Sequence, residues 1–338
     1  MSMETPLPLV ALNSIPETTL DFQPKRFEDY LGQSELKAKL ELYTKAALAR
    51  QEPLDHLLLF GPPGLGKTTL ATIMASVLDV DIKICNGGAI ERTGDMVALL
   101  TSLQTRDILF VDEIHRMPKP VEEILYSAME QFRVDVIIGQ GAGAKSVNLP
   151  ICPFTLIGAT TKSGMISAPL RTRFGITERL DFYKPEDLQK IIEQNAQFLN
   201  LQLLPDAALT IAKAARGTPR IAKKMLRRVR DFAQVQEKPI IDLEVVLQAL
   251  QFFGIDIHGL TAIDHKLISI MLTKFNGGPV GLETLAAMSG EDAQTIEEVY
   301  EPYLMREGYI EKTSRGRQIP VVTLQKLRDK NSNQLSIL

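Results

Sequence analysis

The chain has 338 residues, more than one hydrophobic core normally serves, so two or three domains are expected. Hydrophobic residues make up 45% and charged residues 23%, which is typical of a globular protein and argues against extensive disorder. No apolar run approaches the roughly 18 residues of a membrane span, and the N-terminus lacks the features of a secretory signal. Cys85 and Cys152 have no metal-site or redox spacing, so we predict a reducing cytoplasm and no membrane association.

The formal net charge is −3, which by itself argues against binding to nucleic-acid phosphates. DNA binding would therefore need a local concentration of basic residues.

The first half of the chain alternates between helical and extended patterns. Residues 1–20 show no period and predict a loose tail, and Ser34 is the expected N-cap of the first helix. Strands alternating with helices predict an α/β fold, in which helices cover both faces of a parallel sheet. The predicted elements are the helices Ser34–Arg50 and Lys67–Leu78 and the strands His56–Phe60, Asp107–Val111 and Thr155–Thr160.

A hairpin is predicted between the second and third of these strands. The segments 132–138 and 145–149 flank the glycine-rich run GQGAGA, which is typical of a hairpin turn. The neighbours Val136 and Ile137 must face opposite sides. Either both faces are packed or one face is offered to a partner, and the residues leave these alternatives open.

The second half has two further patterns. The chain is purely helical from Tyr183 to Leu250, as in a small lid domain, and residues 254–259 form a linker. Beyond Thr261, a helix, the helices Leu282–Ser289 and Asp292–Glu307, and a hairpin over Tyr309–Thr323 give the order of a winged helix. The predicted domains are a large α/β domain at 1–183, a small helical domain at 184–254 and a winged-helix head at 257–338.

A phosphate-binding loop is predicted between the first strand and the second helix. Residues 61–68 read GPPGLGKT, in which Gly64 and Gly66 allow backbone N–H groups to converge on phosphate oxygens. Lys67 would reach the β- and γ-phosphates of ATP, and the Thr68 hydroxyl would bind Mg²⁺.

Two carboxylates follow the buried strand that ends near Val111. Asp112 is predicted to hold the Mg²⁺ shell, and Glu113 to orient and polarise the attacking water. Thr160 and Thr161 end the next strand, where a polar sensor of the γ-phosphate belongs in such a fold.

Arginines near two helix termini have two interpretations each. Arg171 and Arg173 either complement a helix dipole or, for Arg173, supply an arginine finger to a neighbouring subunit, which requires an oligomer. Thr218 is a predicted N-cap with Pro219 in the first helical position, so Arg220 opposes the helix dipole unless an anion such as bound phosphate lies nearby. The later basic residues predict a solvated or subunit-facing surface: Lys223, Lys224, Arg227, Arg228 and Arg230.

The predicted substrate is DNA, bound without reading its bases. Residues 61–109 contain no aromatic residue of the kind that polypeptide-pulling motors place in their pore. Residues 256–338 carry nine basic and eleven acidic side chains, and six of the acids lie at 291–307, on or directly before the helix that would enter a major groove. The predicted wing instead brings three cations to one turn, Lys312, Arg315 and Arg317, which indicates sequence-neutral contacts with the backbone.

Taken in order, these motifs resemble the RuvB family of AAA+ motors, which drive branch migration of Holliday junctions. The resemblance covers residues 22–325 and is carried by the segments 27–33, 61–69, 110–116, 154–161, 169–176, 215–222, 277–282 and 314–317. It implies an AAA+ P-loop ATPase with a helical lid and a winged-helix head. It further implies homohexamers that pull duplex DNA from a four-way junction held by RuvA, with RuvC in a larger complex.

The resemblance also implies residue roles. Lys67, Thr68 and Thr69 would bind nucleotide and Mg²⁺, and Arg173 would act across the subunit interface. Tyr183 and Arg220 would line the nucleotide from the lid side. Arg315 would contact DNA, and the hairpin 132–149 would dock RuvA. The chain departs from the family at Gln23, where Arg is common, and at Ser314, where Pro is common. If residue 23 touches nucleotide, its contact is expected to be weaker or merely neutral, and the wing turn is expected to be slightly looser.

Two other classes of protein fit part of this pattern. A clamp loader or replication initiator would use ATP to switch a DNA-binding state, with one hydrolysis event per loading event. A non-catalytic winged-helix regulator would bind ATP structurally and would keep its function after Glu113→Gln.

Overall fold

The computed structural model describes residues 21–138 and 145–327. The predicted tail and the GQGAGA turn lie outside these residues. The chain divides into two compact units, Met1–Gln202 with Gly217–Lys224, and Leu203–Arg216 with Met225–Leu338. No helix of the described part is long and apolar enough to cross a membrane.

The first unit is built on a five-stranded parallel sheet with the strand order β2-β3-β6-β1-β7. Strands β4 and β5 form a separate antiparallel hairpin. The elements are α1 (Ser34–Arg50), β1 (Leu57–Phe60), α2 (Lys67–Leu78), β2 (Ile82–Asn86), α3 (Thr93–Thr101), β3 (Ile108–Asp112), α4 (Lys119–Gln131), β4 (Arg133–Ile138), β5 (Lys145–Pro150), β6 (Thr155–Thr160), α5 (Ala168–Arg171), β7 (Ile176–Arg179) and α6 (Pro185–Phe198).

The three central strands are buried on both faces, which explains their continuous apolar sequences. Leu58 and Leu109 join a core cluster with α3 and α4 on one face of the sheet, while Leu57 and Phe110 are buried as well. Because consecutive side chains of a strand point to opposite faces, both faces of the sheet are covered. The predicted layered α/β architecture is confirmed.

The predicted boundaries hold to within one residue for the central elements. Strands β1 and β3 each begin one residue later than predicted, whereas α1, α2 and β6 have the predicted bounds. The prediction of Ser34 as an N-cap is wrong, because the helix begins at Ser34 and Gln33 precedes it in a left-handed conformation with no side-chain cap. The edge strands β2 and β7 were not predicted, since polar residues interrupt their apolar residues.

The remaining elements include two short strands, so the prediction of a purely helical segment up to Leu250 needs correction. The elements that follow α6 are β8 (Gln202–Leu203), α7 (Pro205–Ala214), α8 (Pro219–Val235), β9 (Ile240–Ile241), α9 (Leu243–Phe252), α10 (Ala262–Phe275), α11 (Leu282–Ser289), α12 (Ala293–Thr295), a π-helical turn (Ile296–Tyr300), α13 (Glu301–Arg306), β10 (Glu311–Thr313) and β11 (Gly316–Gln318).

The last of these elements form the head, which has its own apolar core. The predicted single helix over 292–307 is interrupted by the π-helical turn. The wing, β10 paired with β11, is shorter than predicted, because residues 321–327 are helical. Val280 and Arg317 exchange two backbone hydrogen bonds of 2.8 Å, which fix the wing to the segment between α10 and α11.

Candidate nucleotide and nucleic-acid sites

At three positions, the backbone of the loop 61–66 has a conformation that glycine adopts readily and other residues avoid. Gly61, Gly64 and Gly66 have φ values of 147°, 77° and 101°, in the region that other residues avoid. A Cβ atom on Gly64 would lie 2.9 Å from the Cβ of Arg220, and one on Gly61 would lie 2.4 Å from the Leu180 carbonyl oxygen. The loop passes from the end of β1 into the first turn of α2, as the phosphate-loop pattern predicts.

Lys67 is buried in this loop and is held by backbone carbonyls. Its Nζ donates to the carbonyl oxygens of Gly61, at 2.9 Å, and Pro62, at 3.0 Å. Burial lowers the Lys67 pKa, Asp112 and Glu113 oppose that shift, and Arg220 adds to it. The loop itself contacts the end of β6, because the Gly61 N–H donates to the Thr160 carbonyl oxygen at 3.1 Å.

Glu113 is tied to Thr161 across neighbouring strands. Its backbone is left-handed, with φ 47°, just beyond the end of β3. The Thr161 backbone N–H donates to its Oε2 at 3.2 Å, and the Thr161 hydroxyl lies 3.1 and 3.2 Å from the two carboxylate oxygens. Parallel strands that end at one edge therefore bring together the two groups predicted to handle water and the γ-phosphate.

His115 is a member of this cluster whose role was not predicted. Its Nδ1 lies 2.8 Å from the Thr160 hydroxyl and 3.2 Å from Glu113 Oε2. Burial lowers the His115 pKa, and Glu113 opposes that shift. The spacing Asp112-Glu113-Ile-His115 was the available signal, because one short turn after β3 returns the imidazole to the carboxylate.

The donor set fits Mg²⁺. The Asp112 carboxylate and the Thr68 hydroxyl are oxygen ligands of the kind that Mg²⁺ takes, and one or two such groups suffice when substrate oxygens complete the shell. The described residues contain no group of three or more His, Cys, Asp or Glu side chains that could hold a metal ion.

A pocket next to the loop is lined by residues from distant parts of the first unit. The hydroxyl of Tyr183 lies 2.7 Å from that of Tyr30, and both reach the Leu65 carbonyl oxygen, at 3.2 and 3.3 Å. Burial raises the pKa of Tyr183 to about 12, so this hydroxyl keeps its proton. The pocket wall includes Phe22, Pro24, Leu31, Gly66, Thr69, Ile191, Asn195, Pro219 and Lys223.

Several residues near this pocket can be compared with their predictions. Arg220 lies against the loop, where its backbone N–H donates to the Gly64 carbonyl oxygen at 3.3 Å, and α8 begins at Pro219 as predicted. Lys223 is not part of a solvated surface, because it is half-buried and its Nζ donates to the Phe22 carbonyl oxygen at 3.0 Å. The sequence alone missed Tyr30 and Phe22 as pocket residues.

Arg173 contacts helix α4 and the start of α5 within its own chain. Its guanidinium carbon lies 4.4 Å from the centre of the Tyr126 ring, and its Nη1 donates to the Pro169 carbonyl oxygen at 2.6 Å. Its Nε lies 3.2 Å from Glu130 Oε1. These partners belong to α4 and α5 and not to the phosphate loop of the same chain.

The hairpin of β4 and β5 begins directly after α4. Its six residue pairs are antiparallel, from Arg133 opposite Pro150 to Ile138 opposite Lys145. Val134 is fully buried. The side chains of residues 136–138 lie outside the description, so the choice between two packed faces and a partner-binding face stays open.

The three cations of the wing have different surroundings. Arg317 is buried, and its guanidinium contacts the Glu301 carboxylate at 2.5 and 3.2 Å, so a contact with DNA, which stays a prediction, would have to displace this ion pair. Lys312 is exposed but pairs with Glu297 at 2.7 Å. Arg315 lies exposed in the turn, and the described part of the chain provides its side chain with no ion pair.

A parallel sheet with a phosphate loop and an acidic strand end, followed by a lid and a winged-helix head, defines an AAA+ P-loop protein of the DNA-associated kind. Three family models match consecutive parts of the chain: Holliday junction DNA helicase RuvB P-loop domain at residues 22–180, RuvB AAA lid domain at 183–256 and RuvB C-terminal winged helix domain at 257–328. The chain belongs to the RuvB family.

Individual relatives agree with this assignment. The Holliday junction branch migration complex subunit RuvB of Latilactobacillus sakei is 52% identical over 297 residues, which are 88% of this chain and 89% of that protein. A solved Thermotoga maritima RuvB, described as a Holliday junction branch migration motor, is 45% identical with a TM-score of 0.79 and covers 90% of this chain and 98% of its own. The solved structure of a point mutant of Thermotoga maritima RuvB has a TM-score of 0.81 at 45% identity and covers 91% of this chain and 99% of its own.

Proposed function

We propose that this chain is an ATP-hydrolysing motor that assembles into hexamers and pulls duplex DNA to drive branch migration of four-way junctions with RuvA. The observation that carries the proposal is the glycine loop of Lys67, which the end of β6 and Arg220 contact through backbone hydrogen bonds and beside which Thr161 bonds Glu113, in a chain that also holds a winged-helix head. A role in recombination and repair, a larger complex with RuvC and a place in the cytoplasm belong to the same proposal.

The chain's own residues divide the work at the phosphates. Lys67 places its charge against the β- and γ-phosphates, which replace the loop carbonyls as partners of its Nζ. Thr68 and Asp112 hold Mg²⁺, which when bound neutralises phosphate charge. Gly64, Gly66 and Thr69 form one wall of the nucleotide-binding site. Tyr183 and Arg220 form the wall on the lid side.

Glu113 acts on the attacking water, and Thr161 senses the γ-phosphate. Thr161 donates to the Glu113 carboxylate through both its N–H and its hydroxyl. If a γ-phosphate oxygen accepted a hydrogen bond from the Thr161 hydroxyl, this hydroxyl would no longer donate to Glu113. The Glu113 carboxylate could then accept a proton from water, which is the function of a general base. Arg173 completes the site of the neighbouring subunit, where it stabilises charge on the transferring phosphoryl group.

The DNA and partner contacts lie elsewhere. Arg315 contacts the duplex backbone without reading bases. Lys312 does the same when a phosphate displaces its partner Glu297. The hairpin 132–149 docks RuvA. Three domains share these tasks, with the bounds expected from the sequence at 1–183, 184–254 and 257–338.

Steady-state ATP hydrolysis by Glu113→Gln tests the catalytic part of the proposal. We expect turnover to fall by about 10²- to 10⁴-fold while nucleotide affinity stays within a few-fold of wild type. Glu123→Gln is the matched control, because Glu123 is an exposed carboxylate on α4 of the same chain. Equal turnover in Glu113→Gln and Glu123→Gln would refute the role of Glu113.

A further inference from the structure

Helix α4 offers Arg173 an aromatic surface and a carboxylate on one face. Tyr126 and Glu130 are four residues apart, so their side chains are neighbours on the helix. The Arg173 guanidinium carbon lies 4.4 Å from the Tyr126 ring centre, and its Nε lies 3.2 Å from Glu130 Oε1. The Glu130 side chain is 52% exposed, so water weakens this ion pair, and the ring is the more constant partner.

Tyr126 is itself held in place from below. Its hydroxyl donates to Glu122 Oε1 at 2.5 Å, and Glu122 is only 7% exposed. The Ser167 hydroxyl bonds the same carboxylate oxygen, and Ser167 Oγ also accepts the Leu170 N–H at 3.2 Å as the cap of α5. One buried carboxylate therefore fixes both the ring under the guanidinium and the short helix from which Arg173 follows.

Stacking on a ring constrains an arginine without using up its donors. The face of the guanidinium lies on the π-system, whereas its N–H groups point outwards in the plane. In Arg173, Nη1 donates to the Pro169 carbonyl oxygen and Nε lies beside Glu130, which leaves the Nη2 donors for phosphate oxygens. A carboxylate partner would occupy those donors instead. An arginine that acts on another subunit's nucleotide benefits from such a surface, because a long flexible side chain must otherwise be ordered when the phosphate arrives.

We propose that Tyr126 is a positioning residue for Arg173, whose ring holds the guanidinium ready for the nucleotide of the neighbouring subunit. This inference rests on the proposed function of Arg173 across the interface. Tyr126 touches no substrate in this arrangement, and it acts through Arg173 alone.

The first test compares kcat and KM for ATP in full-length, assembled protein. We expect Tyr126→Leu to lower kcat about 10-fold, in the range of a desolvated cation–π contact, with KM within about 2-fold of wild type. Tyr126→Phe keeps the ring and loses the hydroxyl, so its kcat stays within about 2-fold of wild type. Equal losses in Tyr126→Phe and Tyr126→Leu would overturn the proposal, since the ring that Tyr126→Phe keeps would then contribute nothing to turnover.

Arg173→Ala distinguishes the positioning role of Tyr126 from the proposed action of Arg173 across the subunit interface. If Arg173→Ala has wild-type turnover, the proposed function of Arg173 fails. If Arg173→Ala is impaired but Tyr126→Leu is not, only the positioning role fails. The account predicts that the double variant hydrolyses ATP no more slowly than Arg173→Ala alone.

Mixed assemblies distinguish a loss of Arg173 positioning from a local structural defect, because only the former is restored by neighbouring chains. Glu113→Gln chains have an inactive site but keep Tyr126 and Arg173, so in large excess they flank every active chain with an intact arginine. Turnover per Tyr126→Leu chain should then approach that of wild-type chains diluted in the same excess. A ratio that stays about 10-fold low would place the defect in the variant's own site and overturn the proposal. Tyr126→Gln replaces Tyr126→Leu in the same comparison if the leucine variant fails to assemble.

Discussion

The phosphate loop and the wing each hold basic side chains that the sequence predicts as ligand contacts, but the two regions treat those side chains differently. Lys67 is buried, and its Nζ donates to backbone carbonyls. Arg317 is equally buried, but its guanidinium is bound to the Glu301 carboxylate. A phosphate can replace a carbonyl as the partner of a cation far more readily than it can replace a buried carboxylate, since the carboxylate would be left charged and unpaired.

The two regions show when neighbouring residues in the sequence are sufficient to predict how a cation is held. The geometry of the phosphate loop depends on glycines within six residues, and its lysine is the next residue in the chain. The electrostatics of the wing depend on Glu297 and Glu301, which precede Arg317 by 20 and 16 residues. The acidic helix that argues against base reading also neutralises two of the three wing cations.

The largest expected effect lies at the loop. Lys67→Met should lower ATP turnover about 10³-fold, because it removes a charge placed against the transferring phosphates in a site shielded from water. Junction binding by the head should persist in filter-binding or anisotropy assays. A variant that hydrolyses ATP at more than a tenth of the wild-type rate would contradict the role of Lys67.

The next effect concerns the stability of the head. Arg317→Met leaves the Glu301 carboxylate buried without a cation, so we expect the head to lose about 3 kcal/mol of unfolding free energy. Native-state hydrogen exchange in β10 and β11 of the full chain measures this loss. Lys312→Met is the matched control, and because its ion pair is exposed it should lose less than about 1 kcal/mol. Equal losses in the two variants would remove the distinction between a buried and an exposed wing cation.

A smaller effect is expected on DNA affinity. Arg315→Ala should weaken duplex binding a few-fold and lower the slope of log affinity against log salt concentration by about 1, equally for all sequences. Glu297→Gln should tighten binding, because it removes a negative charge and frees Lys312. Titrations at several salt concentrations test both, and an unchanged salt slope in Arg315→Ala would exclude this residue as a phosphate contact.

The smallest effect concerns the sheet that carries the loop. His56 Nδ1 accepts the Leu156 N–H at 2.8 Å and its Nε2 lies 3.1 Å from the Met129 carbonyl oxygen, so the folded protein holds the neutral ring, and burial lowers the His56 pKa. Below the unfolded pKa of about 6.5, the unfolded chain binds a proton that the folded chain does not. The free energy of unfolding therefore decreases as the pH is lowered. Between pH 7 and pH 5.5 the first unit should therefore lose more unfolding free energy in wild type than in His56→Gln, which urea unfolding monitored by hydrogen exchange in β1 measures. Equal pH dependence in the two proteins would exclude His56 as the cause.

The sequence predicted what nearby residues determine. Buried strands with continuous apolar runs, the glycine loop and the Asp112-Glu113 strand end were found within a residue of their observed positions. The half-exposed edge strands β2 and β7 were missed, because their apolar residues are interrupted by polar ones. The role of Tyr30 in the pocket and the pairing of Arg317 with Glu301 depend on contacts that only the folded chain creates.

In the proposed mechanism, ATP hydrolysis moves DNA through a junction. The most direct measurement is ATP-dependent dissociation of a synthetic four-way junction, with and without RuvA, by wild type and by Glu113→Gln. The account predicts that wild type dissociates the junction over many ATP turnovers and that Glu113→Gln binds it without dissociating it. Robust ATP hydrolysis by wild type without any dissociation, even with RuvA present, would contradict the account and favour a clamp-loader type of switch.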